Sequence, residues 1–506
     1  MQVLPEFDAF RRVYDLGEAQ ILSTRLVADL ETPVSAMLKL ARNARYSFLL
    51  ESVEGGAVRG RYSIIGMRPD VIWKVEGRKA SINRRALFNP DGPFETVDLE
   101  PLPALRALLK ESRIALPPDA PPMAAGVFGY MGYDMVRLME DLPQPNQDVI
   151  GLPDGMLIRP TIMAIFDSVK DDVTVVTPVY PEGDVSAKAA YARAMERLAY
   201  VVEALDRPLD HGMMGRADVP AIGEPSSNTS PQDYMGMVEK AKEYIASGDI
   251  FQVVLSQRFE APFTLPPFAL YRSLRRVNPS PFLYYLDFDR FAIIGSSPEI
   301  LVRVRDGKVT IRPIAGTRRR GETPSEDRAL AEELLADPKE RAEHLMLLDL
   351  GRNDVGRVAK IGSIKVTDQF ILEYYSHVMH IVSNVEGELA PRYDAIDALV
   401  AGFPAGTVSG APKVRAMQII DELEHEKRGA YAGCAGYFSA DGDMDTCIML
   451  RTAIVKDGKM YVQAGAGLVA DSVPKSEHME CVNKAKALFR AADDAVRFAG
   501  RAGRGQ

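Results

Sequence analysis

Residues 461–486 read Tyr461-Val-Gln-Ala-Gly-Ala-Gly-Leu-Val-Ala-Asp-Ser-Val-Pro-Lys-Ser-Glu-His-Met-Glu-Cys-Val-Asn-Lys-Ala-Lys486 and carry the pattern of a strand followed by a helix. Residues 461–464 predict the end of a strand. Gly465 and Gly467 come next, and glycines at such positions let another group approach the backbone closely. Pro474 suits the first turn of the helix, where its missing N–H costs no hydrogen bond.

The predicted helix after Pro474 carries charged side chains on one face. Glu477, Glu480 and Lys484 share that face because they are three and four residues apart. A glycine-edged strand beside two carboxylates and an amine can hold a metal ion and an anion together. A solvated helix face is the more common meaning of such a stripe, so both interpretations stay open at this point.

Composition and charge restrict the class of protein. The chain has 506 residues, of which 46% are hydrophobic and 26% charged, as expected for a globular protein with a large core. Its net charge of −9 argues against a nucleic-acid or anionic-membrane partner. No apolar run is long enough to span a bilayer, and residues 1–8 lack the features of a signal peptide.

The three cysteines, Cys434, Cys447 and Cys481, have neither disulfide-framework nor metal-ligand spacing. We therefore expect free thiols and a cytoplasmic protein without a membrane anchor.

The order of predicted elements indicates an α+β fold. Helical patterns cover residues 32–42, 186–205 and 231–247, whereas residues 162–176 and 301–312 predict hairpins. A meander is predicted over 431–438, 446–455 and 460–464. Antiparallel meanders joined to long helices, without βαβ alternation, argue against a doubly wound fold.

Composition also predicts the domain organisation. Residues 206–230 are rich in Pro, Gly, Ser and Asp, as is typical of a linker. The sequence thus predicts an N-terminal domain over 1–205 and a second domain over 231–506.

A second pair of carboxylates lies near residue 340. Asp337 suits an N-cap and Pro338 the first helical position, and Glu340 then occupies the capping-box position. Capping does not explain Glu343, one turn further along. Oxygen ligands without neighbouring His or Cys suit a hard cation such as Mg²⁺, although sequence alone does not show that the two glutamate pairs meet.

Two further stretches have both a structural and a functional interpretation. In residues 403–415 a loop leads into a helix, with Ser409 or Gly410 as the expected cap, and Thr407 and the free N–H groups could bind an anion. A capped helix without a ligand is the simpler explanation of the pattern. His377 and His380 lie in an apolar stretch, where a buried structural histidine is the usual meaning and a general acid–base group the alternative.

Taken together, these stretches resemble the chorismate-utilising enzymes, most closely the large subunits of anthranilate synthases. The matching segments occur in order over nearly the whole chain, at residues 49–52, 278–281, 313–317, 342–354, 376–380, 403–415 and 463–484. The resemblance implies antiparallel sheets packed as a two-domain sandwich flanked by helices. It also implies that chorismate and ammonia yield anthranilate and pyruvate with Mg²⁺, as the first committed step of tryptophan biosynthesis.

The resemblance also implies roles for individual residues. Glu343 and Glu480 become the direct magnesium ligands, with Glu340 and Glu477 behind them or bound through water. The catalytic set becomes His380, Glu340, Thr407 and Lys484, with His380 assisting pyruvate elimination. The residues implied to bind chorismate are Gly316, Thr317, Tyr431, Arg451, Gly465, Ala466, Gly467 and Lys484.

Two positions distinguish members of the family with different activities. Isochorismate- and salicylate-forming members carry a water-activating lysine where this chain has Gln252, and aminodeoxychorismate synthases typically carry a lysine where it has Ala315. Both residues favour anthranilate synthase. Aminodeoxychorismate synthase is the alternative enzyme, and a tryptophan-binding regulator without catalysis is the alternative outside enzymes.

The resemblance finally implies a regulator and a partner. Leu50, Ser52 and the loop residues Pro281, Phe282 and Leu283 resemble the tryptophan pocket of feedback-inhibited members, although a plain buried strand also explains residues 49–53. No glutaminase site is evident, because Cys434 lies on a predicted strand without a set of partner residues. A separate glutamine amidotransferase subunit is therefore expected to supply ammonia.

Overall fold

The structure of the chain is a computed structural model, and it describes residues 2–41, 44–54, 58–209, 221–375 and 378–499. His377 and the middle of the predicted linker lie outside the described residues. The helices are α1 Phe7–Asp15, α2 Pro33–Leu40, α3 Pro101–Glu111, α4 Ala187–Asp206, α5 Pro231–Ala246, α6 Pro267–Val277, α7 Pro324–Ala336, α8 Pro338–Gly356, α9 Ala395–Gly402, α10 Lys413–Leu423 and α11 Pro474–Ala499.

The strands of the N-terminal segment and the short β9 are β1 Gln20–Val27, β2 Ser47–Glu54, β3 Val58–Glu76, β4 Lys79–Asn83, β5 Glu95–Thr96, β6 Gly126–Met131, β7 Gly155–Asp167, β8 Asp172–Val179 and β9 Ser226–Ser227. Those that follow are β10 Gln252–Pro262, β11 Phe282–Asp287, β12 Phe291–Ser297, β13 Ile300–Arg305, β14 Lys308–Ile311, β15 Ile314–Arg319, β16 Lys365–Tyr374, β17 Val378–Glu388, β18 Gly410–Ala411, β19 Cys434–Ser439, β20 Met444–Ile448, β21 Thr452–Lys456 and β22 Lys459–Leu468.

Antiparallel ladders connect these strands, so the predicted α+β class is confirmed. Both predicted segments contribute to the same sheet system: β2 pairs with β11, and β6 pairs with β19. The division into 1–205 and 231–506 stays a prediction.

The strands are apolar on both faces because the sheet is covered on both faces. Along β11, Tyr284 and Leu286 contribute to an inner layer built from strand residues, and Leu283 and Tyr285 contribute to an outer layer with α1, α2, α4, α6 and α11. Alternate side chains of a strand point to opposite faces, so one strand supplies both layers. This is the sandwich flanked by helices that the resemblance implied.

Helix starts follow the predicted capping chemistry at the site. Asp337 accepts hydrogen bonds from the backbone N–H groups of Lys339 and Glu340 and caps α8, with Pro338 in its first turn. Pro474 begins α11 as predicted, and its apolar stripe, including Ala485 and Phe489, is buried.

Three local predictions are wrong. The predicted strand over 446–455 is two strands, because the chain turns between them at Arg451, whose φ is 48°. The prediction that a strand ends at 464 also fails: Gly465 and Gly467 lie inside β22, paired with Ser256 and Val254 of β10.

The third error concerns the helix expected after residue 409. Gly410–Ala411 form β18 on β10, so neither Ser409 nor Gly410 caps the helix, and α10 begins after Pro412 at its N-cap. A strand pairing with β10 outcompetes the local cap here.

Candidate functional site

Three of the predicted residues, Gly316, Thr317 and His380, lie together where β15 pairs with β17. Thr317 pairs with His380 in the antiparallel register, next to an irregularity at Gly316, whose φ is +71°. The His380 Nδ1 atom lies 3.0 Å from the Gly316 carbonyl oxygen and 3.0 Å from the Thr317 hydroxyl. A carbonyl oxygen only accepts, so we assign the proton to Nδ1, which leaves a lone pair on Nε2.

Burial keeps the imidazole neutral. His380 is 7% exposed, and burial lowers its pKa to about 4, with the positive charge of Arg451 acting in the same direction. The Tyr375 ring packs against the imidazole edge to face, at a centroid distance of 5.4 Å. His380 is therefore a neutral group with a free basic nitrogen at neutral pH.

Arg451 supplies a positive charge without an acidic partner. Burial lowers its pKa, and no carboxylate forms an ion pair with it among the residues that the structure describes. A buried cation without a fixed counter-ion suits the carboxylate of a ligand, since an unpaired buried charge is unfavourable. The left-handed backbone between β20 and β21 fixes its direction.

The glycines of β22 make room for neighbouring side chains. A Cβ atom at Gly465 would lie 2.7 Å from the Tyr431 hydroxyl, and one at Gly467 would lie 2.7 Å from the Gln252 amide nitrogen. Ala466 alternates with them, and its methyl group packs in the core. The Gly465 carbonyl accepts a hydrogen bond of 2.9 Å from the Lys484 amine.

Two helices contribute the acidic part of the site. The carboxylates of Glu340 and Glu480 each repel that of Glu343 and, with burial as the larger cause, raise its pKa. Glu343 accepts a hydrogen bond of 3.3 Å from Gln252. Burial is likewise the largest cause that raises the pKa of Glu477, and Glu480 adds to it. The two glutamate pairs, which sequence alone could not join, therefore act on one another electrostatically.

The glutamate oxygens of α8 and α11 fit a magnesium ion whose remaining ligands are water and a bound anion. Among the described residues no three Asp, Glu, His or Cys side chains form a ready-made metal cage. Magnesium does not need one, because it usually takes one or two carboxylates, water and an anionic ligand. Raised pKa values of Glu343 and Glu477 indicate buried negative charge that a cation would relieve.

Glu299 is a candidate that sequence reasoning missed. Its carboxyl group is 6% exposed and accepts a hydrogen bond of 3.3 Å from the Thr407 hydroxyl. Burial raises its pKa to about 8, so it is mainly protonated at neutral pH. A single acidic residue between Pro298 and the apolar start of β13 was the signal in the sequence.

A cavity of about 570 Å³ brings together every residue predicted to bind tryptophan, namely Leu50, Ser52, Pro281, Phe282 and Leu283. They meet because β2 and β11 are paired, with Ser52 opposite Phe282. Its volume is that of a typical small-molecule site. The opposite wall includes Tyr375 and Glu373, which are joined by a hydrogen bond of 2.8 Å.

Tyr375 therefore lines the cavity and also contacts His380. One part of the side chain lines the cavity, and its ring contacts His380 at the β15–β17 edge.

Comparison with known proteins identifies the family of the chain. Residues 68–490 match the family model described as chorismate binding enzyme. The chain belongs to the chorismate binding enzymes. Within them, anthranilate synthase component 1 of Cereibacter sphaeroides is 58% identical over 502 residues, which cover 99% of this chain and all of that protein. This chorismate binding enzyme is therefore a member of the anthranilate synthase component 1 group.

Solved structures of chorismate binding enzymes have the same architecture. Anthranilate synthase component I of Streptococcus pneumoniae aligns with a TM-score of 0.74 at 40% identity, over 85% of this chain and 92% of that one. The menaquinone-specific isochorismate synthase of Escherichia coli aligns with a TM-score of 0.69 at 19% identity, over 98% and 99%. The second likeness shows a shared fold alone.

No helix in the described part of this chorismate binding enzyme has the length and apolar character needed to cross a bilayer. Cys434, the nearest match to a glutaminase nucleophile, is buried on β19, and burial raises its pKa to about 12. It is therefore a thiol and not a nucleophilic thiolate.

Proposed function

We propose that this chain is the chorismate-binding subunit of an anthranilate synthase and converts chorismate and ammonia to anthranilate and pyruvate. The observation that carries the proposal is the amide of Gln252. It stands where water-activating relatives carry lysine, and it donates to Glu343 at 3.3 Å. An amide does not deprotonate water, so the site suits an amine nucleophile.

The charges of the site complement a dicarboxylate substrate. Arg451 is a buried cation without an ion-pair partner in the described chain, and the Lys484 amine lies 2.9 Å from the Gly465 carbonyl oxygen. At Gly465 and Gly467 the backbone lies against Tyr431 and Gln252, with no room for a side chain between them. Placed between the two cations, the two carboxylates of chorismate would be neutralised and the ring would be fixed.

Loss of the ring hydroxyl needs a proton donor. Glu299 is protonated at neutral pH because burial raises its pKa to about 8, and the Thr407 hydroxyl fixes its orientation. We assign Glu299 as the general acid for this step, with Thr407 as the group that orients it.

Release of pyruvate needs a base. When the ring becomes aromatic, the carbon that carries the new amine loses a proton. The Nε2 lone pair of His380 can accept that proton, because Nδ1 donates to Gly316 and thereby fixes the tautomer.

A magnesium ion held by Glu343 and Glu480, with Glu340 and Glu477 behind them, would polarise the ring carboxylate of the substrate. The buried negative charge on both helices is the support for this assignment.

Ammonia would come from a separate glutamine amidotransferase subunit, and tryptophan would inhibit through the cavity beside Ser52. The buried thiol of Cys434 supports the first point, and the convergence of five residues on one cavity supports the second. Three free buried cysteines suit the cytoplasm.

The purified chain with chorismate and Mg²⁺ tests the proposal. Ammonium salts at mildly alkaline pH should give anthranilate, identified by chromatography and fluorescence, whereas glutamine alone should give none. Aminodeoxychorismate or isochorismate as the product would refute the assignment. Anthranilate from glutamine without any partner would refute the separate amidotransferase.

A further inference from the structure

Arg318 connects the strand that carries Thr317 with the helix that carries Glu340 and Glu343. The Nη1 atom of Arg318 donates to Glu340 at 2.8 Å and to the Thr317 carbonyl at 3.0 Å. Its Nη2 donates to Asp337, the N-cap of α8, at 2.8 Å. The Nε atom reaches Glu333 on α7 at 3.3 Å. A single guanidinium therefore holds the start of α8 against β15.

The carboxylate of Glu340 lies between Arg318 and Gly316. Oε1 accepts from Arg318, and Oε2 lies 3.2 Å from the place where a Cβ of Gly316 would be. The side chain of Glu340 is therefore directed toward β15, the strand that carries Gly316 and Thr317. The capping-box contact expected from sequence is absent from the contacts of the described residues, since the carboxylate is occupied by Arg318.

The four glutamates of the acidic site differ in their counter-ions. Glu340 is paired with Arg318, and Glu480 lies 2.7 Å from the Lys484 amine. Glu343 and Glu477 have no ion-pair partner among the described residues. The guanidinium of Arg318, with its fork and four acceptors, is a far more rigid partner than the half-exposed ammonium of Lys484.

From these contacts, and on the basis of the proposed function, we infer that Arg318 is a positioning residue of the metal site. It neutralises Glu340, keeps that carboxylate out of direct coordination and ties it to the substrate strand. Cation binding then depends on Glu343 and Glu480, and the pair Arg318–Glu340 contributes no net charge. A movement of β15 when substrate binds would move Glu340 with it.

A double-mutant cycle tests this inference through Mn²⁺ binding without chorismate, measured from the electron paramagnetic resonance signal of free Mn²⁺. Arg318→Gln leaves Glu340 uncompensated and should tighten Mn²⁺ binding about fivefold, as expected for one charge several ångströms from a divalent ion. Glu340→Gln leaves Arg318 uncompensated and should weaken binding by a similar factor. The double variant should return to the wild-type affinity, because the net charge is restored.

Arg319→Gln is the matched control. Arg319 is the next arginine along β15, but it is exposed and pairs with Glu326 away from the site. It should leave Mn²⁺ affinity and kcat unchanged, whereas Arg318→Lys should keep the affinity and lower kcat, since an ammonium retains the charge without the fork.

Severe loss of Mn²⁺ binding in the double variant would overturn the inference, because Glu340 would then be a direct ligand. Unchanged affinity in Arg318→Gln, or an equal effect of Arg319→Gln, would overturn it as well. If Arg318→Gln does not fold, Glu340→Gln decides: weakening of Mn²⁺ binding by about fivefold supports the inference, and unchanged affinity or severe loss of binding overturns it. A wild-type chain that binds no Mn²⁺ would instead refute the metal in the proposed function, together with this inference.

Discussion

The Nδ1 atom of His380 shows how one backbone carbonyl can set the chemistry of a side chain. Its proton is directed at Gly316, so the opposite nitrogen is basic, and burial keeps the ring neutral with a pKa of about 4. Replacing His380 by Met should therefore spare amination and slow elimination by about 10²- to 10⁴-fold, the usual contribution of a general base.

Chromatography of the His380→Met reaction should show an aminated intermediate that still carries the pyruvyl group. Release of anthranilate at the wild-type rate would mean that His380 has a structural role alone.

Glu299 leads to a prediction about pH. Its pKa is raised to about 8, so the protonated form that can donate is abundant below pH 8 and is lost as pH rises above it. At a fixed concentration of free NH₃, kcat/KM for chorismate should fall about tenfold per pH unit on the alkaline side. In Glu299→Gln this decline should disappear and the rate should be low throughout. An unchanged profile in the variant would remove Glu299 from the mechanism.

At the scale of elements, α8 and α11 bring together carboxylates that are far apart in sequence. Glu343→Gln or Glu480→Gln removes one charged oxygen from the proposed cation site and should lower Mg²⁺-dependent turnover by about 10²-fold. Circular dichroism should show that the fold is intact, since neither side chain is part of the core. Full activity in both variants at limiting Mg²⁺ would contradict the metal assignment.

Helix ends could be predicted from sequence because their cause is local. Asp337 with Pro338, and Pro474, determine where α8 and α11 begin. The interruption at Arg451 could not be predicted, because it depends on the different partners of β20 and β21: β13 and β12. The same reason explains why Gly465 and Gly467 were placed beyond a strand, when their need for space comes from Tyr431 and Gln252.

For the site, sequence supplied the residue types and their local faces, and the fold supplied their neighbours. Glu343 and Glu480 were predicted from helical spacing, but only the fold shows that they repel one another. Glu299 was missed because a raised pKa comes from burial, which a single acidic residue in a loop does not reveal. Arg318 is the first of three consecutive arginines in the sequence, and only the fold shows its four acceptors.

At the scale of the whole molecule, the strands that line the cavity beside Ser52 and the paired strands β15 and β17 belong to one continuous sheet. From Ser52 the ladder passes to Phe282 and then to Ser297, two residues before Glu299. Tryptophan can affect catalysis only if it binds one conformation better than another. If it weakens chorismate binding in this way, chorismate must weaken tryptophan binding by the same factor.

Ser52→Phe should abolish this effect. A Cβ at Gly60 would lie 1.9 Å from the Ser52 hydroxyl oxygen, so strand β3 leaves no room and the larger ring must occupy the cavity. Overpacking of this kind should weaken tryptophan binding at least about tenfold. Calorimetry on both forms, with the uninhibited rate as control, tests it. Equal binding by both, or none by the wild type, would leave β2 as a plain buried strand.

Tyr375 has a consequence for the genetics of resistance. Tyr375 both contacts His380 and lines the cavity, so under the proposed function a substitution there should disturb pyruvate release as well as tryptophan binding. Cells selected to grow on a toxic tryptophan analogue should therefore yield changes at Leu50, Ser52 or the Pro281 loop and none at Tyr375. Recovery of resistant Tyr375 mutants that grow at the wild-type rate would show that tryptophan binding and pyruvate release can change independently at this residue.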